Sequence, residues 1–230
     1  MPTALITGSN RGIGLEFVRS FAEDGWRVHA CCRHPEKADE LRRLSDEAGD
    51  RMQVHRLDVT DGLKVASLAR ALADEPIDLL LNNAGLYGPR SGFGETDFDA
   101  WQSVMAVNAF APLRMAERFH KHVTRSRRKL IVNVSSRMGS IGDNRGGGAY
   151  IYRASKAALN AIAKSLSVDL AARDVTVVVL HPGWVRTEMG GPSAALTPAE
   201  SVEGMRRVID RLTPADNGRF FNHDGSEIPW

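Results

Sequence analysis

Tyr152 and Lys156 stand four residues apart in the stretch Ala149-Tyr150-Ile151-Tyr152-Arg153-Ala154-Ser155-Lys156. On a helix that spacing puts both side chains on one face. A free phenol ionises near pH 10, so only ~0.1% of it is phenolate at pH 7. An ammonium held close favours the charged form and lowers that value. Lowering it by about two to three units takes about 3–4 kcal/mol, within reach of a close, partly desolvated cation. The pair would then give and take protons near neutral pH. Tyr150 has no such partner, because Ala154 stands four residues further on. Taken alone, the same spacing also describes a core tyrosine beside a lysine that reaches to solvent, so the elements around the pair decide its meaning.

Residues 1–6 read as a short buried strand. It runs into Thr7-Gly8-Ser9-Asn10-Arg11-Gly12-Ile13-Gly14 and then a helix carrying Leu15, Phe17, Val18, Phe21 and Ala22. Strand, glycine turn and helix in that order suit a phosphate: the glycines let backbone approach it, and the helix N-terminus favours its charge. The spacing is Gly-x-x-x-Gly-x-Gly rather than the common dinucleotide fingerprint. A second strand, residues 27–32, ends at Cys32-Arg33, with no acid before Glu36. An Asp or Glu there would hold a ribose 2′-hydroxyl. Arg33, with Arg11 on the same side, instead suits a 2′-phosphate and favours NADP over NAD.

A third strand over 52–57 ends at Asp58, a carboxylate placed to accept from an adenine amino group. The apolar run 77–81 predicts a central parallel strand, ending in Asn82-Asn83-Ala84-Gly85. Asn83 can bond backbone on both sides at the mouth of a cleft where strands end. Strand 129–134 delivers Ser135-Ser136, and strand 175–180 delivers His181-Pro182-Gly183-Trp184-Val185-Arg186-Thr187. A last strand covers 219–222. Helices are expected over 36–50, 61–73, 97–122 and from Tyr152 to Leu170. In the long one Pro112 predicts a kink near Asn108, four residues earlier. Residues 190–196 lack periodicity and predict a mobile loop. Thr197-Pro198-Ala199-Glu200 predicts a capped helix start.

With 230 residues and no linker, one doubly wound α/β domain is expected. A net charge of +2 gives no electrostatic case for nucleic acid. The basic run Arg125-Ser126-Arg127-Arg128-Lys129 fits a solvated helix end. Cys31 and Cys32 are neighbours on a strand and point to opposite faces, so no bridge is expected. The histidines are scattered without ligand spacing, and no metal site is expected. No long apolar segment suggests a membrane, and a cytoplasmic protein is expected.

In order and spacing, Thr7-Gly8-x-x-x-Gly12-Ile13-Gly14, Asn82-Asn83-Ala84-Gly85, Ser136, Tyr152-x-x-x-Lys156 and Pro182-Gly183-x-x-x-Thr187 resemble the classical short-chain dehydrogenase/reductases over essentially the whole chain. Residues 135–144 and the ending Ile228-Pro229-Trp230 are most similar to a C-factor-like and sniffer-like carbonyl reductase branch. The resemblance implies a Rossmann-type, three-layer αβα sandwich with about seven parallel strands. It implies a nicotinamide cofactor and a hydride passed between it and a carbonyl or alcohol. Tyr152 would be the acid–base. Ser136 would hold the carbonyl oxygen, Lys156 would hold the nicotinamide ribose, and Asn108 would hold a water in a proton relay.

The resemblance also distributes the cofactor contacts. Gly8, Ser9, Gly12, Ile13 and Gly14 would line the pyrophosphate and ribose, and Asp58 and Val59 the adenine. Asn83, Ala84 and Gly85 would border the riboses. Pro182, Gly183, Val185 and Thr187 would meet the nicotinamide amide. A homodimer or homotetramer through the helices over 97–122 and 152–170 is implied too. One departure stands out: Ser136 and Tyr152 lie 16 residues apart, a longer interval than the family's, with Asn144-Arg145-Gly146-Gly147-Gly148 as the stretch that loops out. The alternative is a C-factor-like signalling protein that binds the nucleotide without turnover; a complete Tyr152–Lys156 pair argues against it.

Overall fold

A parallel sheet covered on both faces requires short, uninterrupted apolar runs, and the chain supplies them. The computed structural model describes residues 1–90 and 92–230. Its strands are β1 (Thr3–Thr7), β2 (Arg27–Cys32), β3 (Met52–Arg56), β4 (Leu79–Asn82), β5 (Leu130–Val134), β6 (Thr176–His181) and β7 (Phe220–Asn222). They form one sheet in the order β3-β2-β1-β4-β5-β6-β7, with every pair parallel. The expected seven-stranded, doubly wound architecture is therefore present. The order reverses between β1 and β4, which opens a crevice at the strand ends there.

Helices α1 (Gly12–Glu23), α2 (Asp39–Ala48), α3 (Gly62–Ala71), α4 (Phe98–Met105), α5 (Ala111–Thr124), α6 (Tyr150–Asp169) and α7 (Pro198–Arg211) cover the two faces. Phe17, Leu41 and Met205, from α1, α2 and α7, share one core. Val65, Phe119 and Ala163, from α3, α5 and α6, share the other. Cys32 belongs to the first core and Cys31 to the second, and both are free thiols, as their alternation on β2 dictates.

The expected long helix runs from α4 into α5 through a π-helical turn, Ala106–Phe110. Pro112 brings no N–H to the carbonyl four residues back, and that carbonyl belongs to Asn108. The ladder widens there instead of breaking. At α7 the capping box is complete, with Thr197 accepting from the Glu200 N–H at 3.2 Å and Pro198 in the first turn.

Two expectations need correction. The segment 190–196 is tied along its length. Gly190 N donates to Thr187 Oγ1, Gly191 N to Thr187 O, Leu196 N to Trp184 O and Arg186 N to Leu196 O. A lack of periodicity did not mean a lack of anchors. The basic run 125–129 is a joint rather than a solvated end. The N–H groups of Arg127 and Arg128 donate to Asp78, and the Arg128 side chain reaches Asp210 and the Ile209 carbonyl. By contrast, residues 141–147 are exposed throughout, so the extra residues before Tyr152 loop out as expected.

Across β2 and β3, His29 Nδ1 lies 3.0 Å from His55 Nε2, with His29 fully inside the protein. Burial, then the neighbouring His55, holds the His29 pKa down at about 4; Glu75 opposes the shift and Arg27 adds to it. The unfolded chain therefore binds a proton near pH 6.5 that the folded chain refuses. Stability rises with pH through that window, is complete above it, and falls as pH drops from about 6.5 toward 4. The linked loss is about 3 kcal/mol. His29→Leu is expected to flatten the fall of the melting temperature between those values, leaving a residue from His181, which burial also holds at about 4. A slope unchanged from the wild type would show that this pair is not its source.

Candidate active site

The first and fourth strands end side by side, and their ends are bonded together. Thr7 Oγ1 accepts from the N–H groups of Asn83 (3.0 Å) and Ala84 (3.1 Å). The Asn83 amide donates to Thr7 O at 2.9 Å and to Gly8 O at 3.2 Å. Among the described residues Asn83 thus bonds backbone on one side only, the end of β1 and the glycine turn, and it fixes that turn against β4. Glycine is required for that fit. A Cβ on Gly14 would stand 2.1 Å from Gly8 O, and one on Gly8 would stand 2.8 Å from the Ala84 Cα. Helix α1 then starts at Gly12 with no side chain capping its first turn, so its free N–H groups face the crevice.

Along these strand ends runs a cleft of about 980 Å³. Gly8, Arg11, Gly12, Ile13 and Gly14 line it from the glycine turn, Arg33, Asp58 and Val59 from the ends of β2 and β3, and Ala84 and Gly85 from the end of β4. Asn83 lines it too. Tyr152, Lys156, Pro182 and Thr187 line the far end. Asp58 accepts from the Thr60 N–H and hydroxyl. Burial alone would raise its pKa, but these bonds and the charges of Arg33 and Lys64 bring it below the usual carboxylate value.

Five expected residues do not line the cleft: Ser9, Asn108, Ser136, Gly183 and Val185. Ser9 is fully buried and gives its hydroxyl to Ile6 O at 2.8 Å, which holds the turn. Val185 is buried and pairs with Leu196. Gly183 packs so closely that a Cβ would stand 2.5 Å from Leu196 Cδ1. Arg11 lies on the cleft side, but its guanidinium is paired with Glu188 from the segment after β6. Sequence offered no signal for that pairing, since the partners are far apart in the chain.

At the inner end, β5 and α6 bring the remaining groups together. The Ser136 hydroxyl accepts from the Met138 N–H at 3.2 Å and lies near enough to the Tyr152 phenol to act on it, while Ser135 borders the cleft and donates its hydroxyl to Asn160 Oδ1 at 2.7 Å. Lys156 is buried and donates to Val134 O at 2.9 Å. Gly139 lets the chain pass directly over α6, because a Cβ there would lie 2.8 Å from the Lys156 backbone carbon. Asn108 is fully buried with its amide wholly engaged: Oδ1 accepts from Leu86 N (2.8 Å), and Nδ2 donates to Leu86 O (2.7 Å) and to Ser155 Oγ (2.9 Å). The side chain therefore holds both backbone groups of Leu86.

The electrostatics differ from the expected ones. Burial pushes the Tyr152 phenol up to about 12; Ser136 pulls it back, and nearby Tyr87 adds to the rise. Burial also brings the Lys156 ammonium down to about 8. The ammonium lies 5.8 Å from the Tyr152 ring centre and spends a proton on Val134 O, so desolvation outweighs the attraction read from the spacing. Leu86 and Met189 line the cleft, and Trp184 is exposed outside it.

A family model described as short chain dehydrogenase matches residues 2–196. The chain belongs to the short-chain dehydrogenase family. It is 45% identical over 155 residues to the C-signal of Myxococcus xanthus, covering 67% of this chain and 93% of that one. Among solved structures, the carbonyl reductase Sniffer of D. melanogaster superposes with a TM-score of 0.94 at 33% identity, over 100% of both chains. An NADPH-bound carbonyl reductase from chicken fatty liver does so at 0.93 and 33% identity, over 100% of this chain and 99% of that one. No described helix is long and apolar enough to cross a membrane, and no metal-binding cluster occurs among the described residues.

For this short-chain dehydrogenase the Asn83 joint gives a direct test. Asn83→Ala leaves Thr7 O and Gly8 O without their side-chain donor, and a buried unpaired group costs about 1–3 kcal/mol. Urea unfolding without any nucleotide is expected to show a loss of that size. An unchanged midpoint would mean that the joint does not hold the turn.

Proposed function

We propose that this chain is an NADP(H)-preferring oxidoreductase that reduces a carbonyl, or oxidises the matching alcohol, with Tyr152 as the proton donor and acceptor. The observation that carries the reading is the pair of Tyr152 and the buried Lys156, whose ammonium lies 5.8 Å from the Tyr152 ring centre, both lining a cleft along the strand ends. The residues fit a dinucleotide. Helix α1 offers an uncapped N-terminus to a pyrophosphate, and Lys156 keeps protons beyond the one given to Val134 O. Gly8, Gly12, Ile13 and Gly14 would hold the pyrophosphate, Asp58 and Val59 the adenine, and Asn83, Ala84 and Gly85 the riboses. Pro182 and Thr187 would hold the nicotinamide amide, with Ser9, Gly183 and Val185 supporting from behind. When bound, NADPH supplies the hydride.

The chain's own part is to orient and to move a proton. Ser136 and Tyr152 would converge on the carbonyl oxygen and stabilise its growing charge. Tyr152 would then pass it the phenolic proton. A phenol held neutral at pH 7 carries the proton that reduction needs, although its raised pKa makes it a weaker acid than an unperturbed phenol. Lys156 would hold the ribose, and any water relay past the π-helical turn would use the carbonyl of Asn108, whose amide is engaged elsewhere. The likeness to the C-signal keeps one alternative in view, a nucleotide-binding signalling protein with no need of turnover.

Tyr152→Phe is expected to keep the fold and the NADPH affinity and to lower turnover by about 10²-fold or more. Lys156→Ala is expected to weaken NADPH and to move the rise of alcohol oxidation to higher pH, because the phenol loses its cation. Steady-state rates across pH check both. A Tyr152→Phe enzyme with more than about half the wild-type rate would remove Tyr152 from the chemistry.

Cofactor choice gives a separate test. NADPH should bind at least about tenfold tighter than NADH, which is about 1.4 kcal/mol. Arg33→Asp should reverse that order. Glu188→Gln releases Arg11 and should tighten NADPH while leaving NADH unchanged. Fluorescence titration measures all three, and equal wild-type affinities would overturn the assignment.

We also propose a homodimer or homotetramer assembled through α5 and α6, as the family resemblance implies. Light scattering that shows only a 25.2 kDa species would contradict it.

A further inference from the structure

The mechanism makes no use of Tyr87, yet its ring lies directly on Tyr152. The two ring centres are 4.5 Å apart with planes 23° from parallel. The Arg90 guanidinium sits 5.5 Å from the Tyr87 ring centre, and the Lys156 ammonium sits 5.8 Å from that of Tyr152. Two stacked phenols thus have a cation near each. A separation of 4.5 Å leaves no space between the rings for a substrate.

The backbone holds Tyr87 in that place from both sides. The preceding residue, Leu86, is clasped by Asn108 through both its N–H and its carbonyl. The following residue, Gly88, has φ 79° and packs where a Cβ would lie 2.8 Å from Val104 Cγ2 and 3.4 Å from Ile151 Cγ2. The segment is therefore wedged against α4 and α6. No ligand is needed to bring the ring over Tyr152.

We propose that Tyr87 is a specificity-determining residue, a fixed wall over one face of Tyr152 that excludes water and any carbonyl substituent needing that side. This rests on the reading of Tyr152 as the proton donor. A carbonyl can approach the Tyr152 hydroxyl only from the side away from Tyr87. Slim ketones fit such an approach, and ketones branched next to the carbonyl do not. The groups facing Tyr152 are Lys156 and Ser136, from α6 and the end of β5, and Tyr87 with Arg90 behind it. The wall also agrees with the raised phenol, since it removes water that would solvate a phenolate.

Tyr87→Ala removes the wall, and Tyr87→Phe keeps it without its hydroxyl. With NADPH present, the ratio of kcat/KM for a tert-butyl ketone to that for the matching methyl ketone is expected to rise at least about tenfold in Tyr87→Ala. In Tyr87→Phe it should stay at the wild-type ratio. A second measurement needs neither cofactor nor turnover. Tetranitromethane treatment at mildly alkaline pH, mapped by mass spectrometry, reads each of the three tyrosines separately. Tyr150 should be nitrated in every form. Tyr152 should be protected in the wild type and in Tyr87→Phe, and nitrated in Tyr87→Ala. Equal nitration of Tyr152 in the wild type and Tyr87→Ala would overturn the proposal, as would an unchanged ketone ratio. If Tyr152→Phe kept its turnover, the acid–base reading would fall, while nitration would still report whether Tyr87 covers Tyr152.

Discussion

The joint between Thr7 and Asn83 is the constraint from which the site follows. It ties the ends of β1 and β4, whose partner residues lie about 75 positions apart in the chain, at the point where the sheet order reverses. Fixing Asn83 to Thr7 O and Gly8 O fixes the course of the glycine turn, and with it the axis of α1. The stretch after Asn83 leaves β4 toward Asn108, which clasps Leu86. One set of backbone bonds therefore sets the glycine-turn end of the cleft and reaches toward the end that holds Tyr152.

Burial sets the chemistry at that second end. Tyr152 and Lys156 share a helix face, as their spacing requires, but sharing a face does not bring the ammonium onto the phenolic oxygen. Both groups are out of water, and each loses its charged form more readily as a result. The arrangement is one of a neutral donor beside a cation with protons to spare. A polar ligand lying between them would relieve the desolvation of both, so such a site is built to be completed by what it binds.

Much of this was legible in the residues themselves. Apolar runs and glycine turns carry the seven strands, because a parallel sheet leaves little choice of composition. Pro112 marked the opening of the long helix at Asn108, and Thr197 with Glu200 marked the start of α7, since both effects are local. The groups that escaped were those whose meaning depends on distant partners. Glu188 is an ordinary exposed acid until the fold sets it against Arg11. Tyr87 is one more loop aromatic until Asn108 and Gly88 hold it over Tyr152. The segment after Thr187 looked unstructured because its anchors are backbone groups, which every sequence possesses.

The exposed bow over residues 141–147 has a consequence for engineering. Sixteen positions separate Ser136 from Tyr152, and the exposed stretch takes up the extra length. Gly147 and Gly148, with φ near 60°, turn the chain back into α6, and the turn is held by Asn144, which accepts from the Gly147 N–H, and by Arg153, which donates to the Gly147 carbonyl. Doubling a surface loop costs only about 0.6 kcal/mol in closure entropy. The bow is thus a port on the surface ahead of α6, where a peptide tag or a reporter domain can be inserted while the strands stay as they are.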